Sequence, residues 1–392
     1  MHDLPEIQLD IAGFLAILGE GSVLANSQVA SLSRIVFLPR LLPAPQALMV
    51  PSRPSKLESA EGYTTGVESG NHRDYINHVG HVLVDAEEEP DYSVKCVEIR
   101  RKQNRDVAAK VLGPLWLVAI LGFVESLLLF GFSVMHDDTA SIIATVSMSL
   151  LSSLIGVSNK WKLNLPKRRQ TGLVTPPGNV VIRYSNGNFL VVQCTEDIAR
   201  ELYFAPENIK YLVSQSSEYR MISLVGTFLL MVGIIALSNA SLPLQVGFAA
   251  AYMILNIAYW VVAALPPDVH WDMSCFEVRE QCFDSLGATK EVAFEAKSVE
   301  HNVTFTQALW KVIVVTKSIK WIRKSDAAPA TPAWDEWLRE ARTYSRKAGS
   351  RMEVVDDKIV KVWEIPEWDP QKRLSELVKK HMSDPDSDYY SG

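Results

Sequence analysis

The apolar positions of the 392-residue chain are concentrated in four long runs, which lie in two close pairs. The runs are Val111–Val134, Thr139–Asn159, Met221–Ser238 and Leu242–Leu265. Each is about long enough to cross a bilayer as a helix, which takes roughly 17–25 residues. Only Met135–Asp138 separates the first pair and only Asn239–Ser241 the second, so each pair must turn back on itself. The pattern predicts an α-helical integral membrane protein with four transmembrane helices in two antiparallel hairpins, residues 107–159 and 221–266.

Basic residues beside the runs predict which way the hairpins face. They precede the first run and follow the second, and the short turns contain none. These residues are Arg100, Arg101, Lys102, Arg105 and Lys110 before the first hairpin, and Lys160, Lys162, Lys167, Arg168 and Arg169 after it. Short loops rich in Lys and Arg stay cytoplasmic. We therefore expect a multi-pass protein with cytosolic N- and C-termini, in either the plasma membrane or an endomembrane.

This topology makes a prediction for two N-glycosylation sequons, which begin at Asn239 and Asn302. Asn302 would be cytosolic, and Asn239 would lie in a lumenal turn too tight for the transferase to reach. We expect no glycan at either site. A glycosidase-sensitive mobility shift that disappears when Asn302 is replaced would contradict the predicted topology.

Composition limits what the polar parts of the chain do. The net charge of −6 is modest and mixed in sign, which argues against nucleic-acid binding. The four cysteines form no close pair, so we expect reduced thiols rather than a disulfide framework. Met1–Asp10 is acidic where a secretory signal is basic, so we expect the first long run to serve as the insertion signal.

Residues 1–106 are predicted to form a cytosolic N-terminal segment that is partly disordered. Prolines interrupt its middle and Ser55–Asn71 is small and polar, so Leu38–Asn71 cannot bury much apolar surface. His72, His78 and His81 follow. Because His-x-x-His without cysteine or a defined helix is a weak metal signal, we interpret them as surface or packing histidines.

Residues 160–220 are predicted to form a cytosolic loop with a small α+β unit. Asn179–Tyr184 and Phe189–Cys194 are rich in Val and Ile, and the Asn-Gly pair between them at Gly187 indicates a β-hairpin. Thr195 is expected to cap a short helix that ends near Phe204.

Residues 267–392 are predicted to form a cytosolic region with amphipathic helices. Thr304 opens a capping box for a helix that we expect to end near Arg323. We give equal weight to two interpretations of this helix. It is either a core helix or a helix on an anionic leaflet, with membrane-surface contacts from Lys317, Lys320, Trp321 and Lys324.

Three further elements are expected in the same region. Pro332–Lys347 has the pattern of a second amphipathic helix. Met352–Val355 and Lys358–Glu364 are predicted to pair as a hairpin around two aspartates. Ser383–Gly392 is acidic and is expected to be mobile.

Glu125 is the only charged residue within the four runs. One interpretation is a proton or solute site that Glu125 forms with Tyr252 and Asn256 of the fourth run. The other, which we favour, is polar contacts that hold the hairpins together. Small residues support the second interpretation, because they let helices approach closely; among them are Gly156, Gly226 and Gly233.

Three stretches of the chain carry a resemblance to a known group of proteins: Gly178–Val213, Leu244–Val278 and Thr304–Ala341. They resemble a family of multi-pass membrane proteins of filamentous ascomycete fungi, over about Val107 to Ala341. The resemblance implies a fungal source and the same topology, and it implies no activity or catalytic residue.

Three functions are compatible with these features. We favour a non-enzymatic polytopic membrane protein that anchors or scaffolds a cytosolic assembly, with the lipid bilayer and a protein partner or second copy as partners. The alternative is an oligomeric transporter or channel with a polar site around Glu125, although broken helices and inverted repeats are missing. An enzyme is least favoured, because no hydrolase, zinc-protease, Walker or Rossmann pattern occurs. We predict no cofactor.

Overall fold

The computed structural model describes residues 20–103, 105–165, 175–284, 299–355 and 358–382. The predicted turn between the last two strands, the basic residues 167–169 and the acidic end of the chain lie outside these residues. The chain divides into two compact units. The helical unit comprises Met1–Lys56, Arg105–Asn164 and Asn208–Met273, and the sheet unit comprises Leu57–Asn104, Leu165–Glu207 and Ser274–Gly392. Each unit is therefore assembled from three separate stretches of chain.

The described helices and strands are numbered in chain order. The helices are α1 (Glu20–Leu32), α2 (His78–Leu83), α3 (Pro114–Met135), α4 (Thr139–Asn159), α5 (Glu196–Ala199), α6 (Ser216–Ser238), α7 (Leu242–Ala263), α8 (Phe305–Thr316), α9 (Pro332–Ser345) and α10 (Pro370–Met382). The strands are β1 (Ala60–Gly66), β2 (His72–Ile76), β3 (Val94–Arg101), β4 (Ala108–Ala109), β5 (Trp161–Asn164), β6 (Val180–Arg183), β7 (Phe189–Gln193), β8 (Asn208–Tyr211), β9 (Trp271–Asp272), β10 (Phe276–Asp284), β11 (Val299–Glu300), β12 (Ser350–Val355) and β13 (Lys358–Glu364).

Four helices of the helical unit, α3, α4, α6 and α7, are long and apolar enough to cross a membrane, as predicted. Asp138 connects their turns: its Oδ1 accepts from the N–H of Ser141 at the start of α4 (3.0 Å). Its Oδ2 accepts from the N–H of Ser241 in the link between α6 and α7 (2.7 Å). An aspartate at an N-cap satisfies N–H groups that the first helical turn leaves unpaired, so one carboxylate joins both turns.

The second helix pair differs from a packed hairpin. Although three residues join them, α6 packs along α4 and α7 packs along α3. The close packing of α6 on α4 depends on Gly233 of α6, which has no side chain. A Cβ at this position would lie 2.9 Å from Met148 Cε of α4. Gly233 thus permits close helix approach, as the spacing of small residues predicted.

Residues 33–50, which follow α1, pass through the interior of the helical unit; we call them the inserted segment. The N–H of Leu41 donates to the Gly122 carbonyl of α3 (3.1 Å), and Ser153 Oγ of α4 donates to the Phe37 carbonyl (3.0 Å). Gly122 lies about 12 Å inside α3 at 1.5 Å per residue. The segment therefore enters between the helices to roughly this depth and leaves again.

Glycines create the space for the inserted segment. A Cβ at Gly156 of α4 would lie 2.1 Å from the Val36 carbonyl oxygen, and a Cβ at Gly122 would lie 2.7 Å from that of Leu41. A Cβ at Gly226 of α6 would lie 2.7 Å from Met49 Sδ. Gly156 therefore serves the contact with this segment, where a contact between helices was expected.

The sheet unit contains a nine-stranded sheet in the order β12-β13-β10-β3-β7-β6-β1-β2, with β11 beside β3. Its centre combines three stretches of chain: β3 pairs with β7 in parallel and with β10 in antiparallel orientation. The hairpin of β6 and β7 is confirmed, and Gly187 adopts φ +82° in its turn. The sheet is much larger than the small α+β parts that were predicted.

Two expectations for the N-terminal and C-terminal regions change. The stretch expected to be disordered, Leu38–Asn71, contains part of the inserted segment and all of β1, which pairs with β2 and β6. Thr304 caps α8 as predicted, since its Oγ1 accepts from the Gln307 N–H. The helix ends at Thr316 instead of near Arg323, because Lys317 takes a left-handed conformation with φ +50°.

Candidate functional site

The interior of the helical unit holds Glu125 as an unpaired acid. It lies on the buried face of α3 and is 8% exposed. Both carboxylate oxygens are buried, and neither has a hydrogen-bond partner among the residues that the structure describes. A buried polar group without a partner costs free energy, so such a group is uncommon unless it has a function.

Tyr252 of α7 lies at the level of Glu125. The two helices are antiparallel where they pack: a Cβ at Gly122 would touch Leu255, and one at Gly247 would touch Leu129. This register places Tyr252 opposite Glu125. Tyr252 is buried, so these two members of the predicted polar site share one region of the interior.

Asn256, the third predicted member, is directed to a different element. It lies one turn beyond Tyr252 and is half-buried. Its Oδ1 accepts a hydrogen bond from Ser22 Oγ of α1 (3.4 Å). Its described contact is therefore structural, between α7 and α1.

Arg40 is a buried charge that the sequence analysis missed. It is 7% exposed, and its Nη1 lies 3.4–3.5 Å from the carbonyl oxygens of Ile35, Val36 and Leu38. Its Nε has no hydrogen-bond partner within the described part of the chain. Because the N–H of the next residue binds Gly122, Arg40 enters the interior within about one helical turn of Glu125. The apolar character of Ile35–Val50 could have indicated that this stretch is buried. Its prolines led instead to the prediction that most of it is disordered.

Hydroxyl pairs connect α3 to α4 at the level of Glu125 and again nearer the turn between the two helices. Ser126 Oγ and Ser149 Oγ are 2.6 Å apart, and Ser133 Oγ and Ser141 Oγ are also 2.6 Å apart. Such hydrogen bonds between helices stabilise bundles by about 0.6 kcal/mol each. Both bonds lie within the first helix pair and involve serines rather than Glu125, so the interpretation of Glu125 as a polar contact between the hairpins stays a prediction.

The three histidines of the N-terminal region do not converge on one site. The His72 ring is bonded to Thr65 Oγ1 (2.9 Å), and the His78 ring lies 3.1 Å from the Glu58 carbonyl. His81 lies instead between two carboxylates, at 3.7 Å from Asp85 and 3.9 Å from Glu87. These three side chains are close enough to share a cation, and all three are at least partly exposed.

The residues predicted to contact a membrane surface have other surroundings. Trp321 is 0% exposed and its Nε1 donates to the Ser318 carbonyl (2.9 Å), so its assignment to a bilayer surface was wrong. Because α8 ends early, the following turn brings Trp321 back into the apolar core. Lys317 donates to the Ala348 carbonyl and Lys324 to the Gly70 carbonyl, and Lys320 is exposed.

Glu207 is a buried acid in the sheet unit, and two backbone N–H groups donate hydrogen bonds to it. Its two carboxylate oxygens accept from the N–H groups of His78 and Val79 at the start of α2 (both 2.8 Å). Burial raises the pKa of Glu207 to about 7, although these two hydrogen bonds oppose the shift.

We expect Glu207→Gln to flatten the dependence of stability on pH. A carboxyl with a raised pKa stabilises the fold below its unfolded pKa, and this contribution is lost as pH rises towards 7. The loss amounts to about 3 kcal/mol at most. The wild type minus variant difference in unfolding free energy should therefore fall between about pH 4.5 and 7. Glu61→Gln, at an exposed position of β1, is the control, and an equal difference curve for both variants would contradict the prediction.

No family model, curated protein or solved structure matches the chain. The function must therefore be argued from the chain's own residues.

Proposed function

We propose that the protein is a polytopic membrane protein whose four long helices anchor a cytosolic sheet domain that scaffolds a protein assembly. The observation that carries this proposal is the pairing of strands from three stretches of chain in one sheet. Strand β3 precedes the first helix pair, β7 lies between the pairs and β10 follows the second pair.

Strand pairing constrains the topology because paired strands must lie in one compartment. If each long helix crosses the bilayer, each pair must leave that compartment and return to it. Both short turns then lie on the opposite side. Strand pairing does not depend on the flanking charges, and it supports the same topology that the flanking Lys and Arg residues predict. The basic flanks indicate that the compartment is the cytosol.

The surface of the sheet unit suits a protein partner better than a small substrate. Its edge strand β12 and the neighbouring β13 expose three apolar side chains on one face: Met352, Val354 and Ile359 are 67%, 69% and 69% exposed. An edge strand also has backbone groups available for another strand. A partner segment that adds to β12 would bury these side chains.

The groove between α9 and α10 is better explained by contacts between the two helices than by ligand binding. Its volume is about 950 Å³, and charged side chains line it. Arg373 pairs with Glu340 (2.7 Å), and Lys380 pairs with Glu336 (2.9 Å). These pairs hold the two helices together, which leaves the exposed hairpin face as the better candidate for binding.

Co-purification of the full-length protein in mild detergent tests the proposal. We expect a stoichiometric protein partner that is lost with Met352→Asp/Val354→Asp, because the charges prevent burial of this face. Val303→Asp/Met382→Asp, at exposed apolar positions of the sheet unit outside β12 and β13, is the matched control and should retain the partner. Retention of the partner by the double variant, or a monomeric wild type without a partner, would refute the scaffold proposal.

A second function, an oligomeric transporter or channel, is favoured by one observation. Glu125 is buried at the level of Tyr252, and its two oxygens have no hydrogen-bond partner among the described residues. This is the condition in which a membrane carboxyl can exchange a proton or bind a cation. In proteoliposomes, Glu125→Gln should then abolish an ion or proton flux that Glu218→Gln, at an exposed position, leaves unchanged. Absence of any flux from the wild type would eliminate this function.

A further inference from the structure

A small two-stranded sheet in the helical unit connects the ends of two long helices. Strand β5 begins two residues after α4 ends, and β8 ends five residues before α6 begins. The strands pair in antiparallel orientation with Lys162 directly opposite Lys210. Opposite residues project from the same face with Cβ atoms about 5 Å apart. Both lysines are exposed.

Three more cations surround this pair. Lys56 bridges to Asn208, two residues from Lys210, which places Lys56 on the same face. Lys160 donates from Nζ to the carbonyls of Leu32 (2.8 Å) and Ser33 (2.9 Å), which brings it beside Arg34. We call Arg34, Lys56, Lys160, Lys162 and Lys210 the basic face.

The basic face has no ion-paired acid among the described residues. Among the residues that the structure describes, none of the ion pairs includes any of these five side chains. Burial, together with the charges of Lys162 and Arg34, lowers the pKa of Lys160, as expected for cations crowded together. Like charges placed directly opposite each other destabilise a strand pair. An external anion would remove this repulsion.

We propose that the basic face binds the phosphate groups of anionic phospholipids in the leaflet where α4 ends and α6 begins. This rests on the proposed four-span topology, which places the ends of both helices at the membrane surface. Lipid phosphates lie at this level, and clustered Lys and Arg at such a position bind anionic lipids. Asn164 and Asn208, which are also opposite each other on β5 and β8, can donate further hydrogen bonds to phosphate.

Titration of the purified full-length protein in nonionic detergent with a short-chain phosphatidic acid tests the proposal. Each cation near a lipid surface contributes about fivefold in affinity. We therefore expect Lys162→Gln/Lys210→Gln to weaken binding roughly 25-fold. Lys162→Arg/Lys210→Arg should bind like the wild type. Arg342→Gln/Lys372→Gln removes the same charge from exposed positions of the sheet unit and should also bind like the wild type.

Three results would overturn the proposal. The first is unchanged binding by Lys162→Gln/Lys210→Gln, and the second is an equal loss in the Arg342→Gln/Lys372→Gln control. The third is equally tight binding of inorganic phosphate, which would indicate a soluble ligand. The unfolding temperature of lipid-free Lys162→Gln/Lys210→Gln should equal or exceed that of the wild type, because repulsion is relieved. Since the assay needs no partner and no cellular orientation, its failure is distinguishable from failure of the scaffold proposal.

Discussion

Gly156→Ala is expected to destabilise the helical unit by about 3 kcal/mol, the upper part of the range for overpacked interiors. The added methyl group would lie 2.1 Å from the Val36 carbonyl oxygen. A backbone atom cannot rotate away as a side chain does, so either α4 or the inserted segment must move. Movement of the segment would break the hydrogen bonds from Ser153 Oγ to the Phe37 carbonyl and from the Arg40 N–H to Ser152 Oγ.

Thermal unfolding in detergent and limited trypsin digestion measure this effect. Cleavage at Arg40, which is 7% exposed, should be faster in the variant, because the segment leaves the helical interior. Gly131→Ala on α3 is the matched control, since no atom lies within 4 Å of the added Cβ. Alanine is favoured over glycine in a helix by roughly 1 kcal/mol, so the control should be neutral or slightly stabilised. Equal behaviour of the two variants would mean that residues 33–50 do not pack against Gly156.

Trp337→Ala is expected to destabilise the sheet unit by about 3–5 kcal/mol, the usual cost of truncating a buried aromatic residue. Trp337 of α9 is 0% exposed. Its ring lies 5.3 Å from both Trp334 and Trp368, and its Nε1 donates to the Pro370 carbonyl at the start of α10 (2.8 Å). The substitution therefore removes the packing that holds α10 against α9.

Trp337→Phe separates the packing contribution from the hydrogen bond. It retains an aromatic ring and loses the donor, so we expect a smaller loss of about 1–2 kcal/mol. Chemical denaturation in detergent, followed by tryptophan fluorescence and circular dichroism, gives both values. A loss below about 1 kcal/mol for the alanine variant would show that this cluster does not support α10.

Local patterns were sufficient to predict the elements whose formation depends on neighbouring residues. The four long helices follow from runs of apolar residues, because in lipid only a helix satisfies its own backbone groups. The β6–β7 turn follows from Gly187, whose positive φ needs no partner elsewhere. The cap at Thr304 also depends only on residues within one turn.

The candidate sites were predicted only in part. The sequence singled out Glu125 as the one charge in an apolar run, and burial of Glu125 and Tyr252 depends on the helical periodicity of their own segments. Arg40 was missed because its burial depends on Gly122 and Ser152, more than 80 residues away. The basic face was missed for the same reason, since Lys162 and Lys210 meet only when β5 and β8 pair.

The sequence by itself determined the number and order of the apolar helices, the positions of their turns, and the charge that surrounds them; the third helix begins at Ser216, five residues before the predicted Met221. These properties depend on interactions within about ten residues, which composition and spacing express directly. Tertiary structure alone decided that one sheet draws strands from three stretches of chain and that residues 33–50 enter the helical interior. It also decided that Trp321 belongs to a core. Each of these outcomes depends on contacts between distant segments, for which local hydrophobic periodicity carries no information.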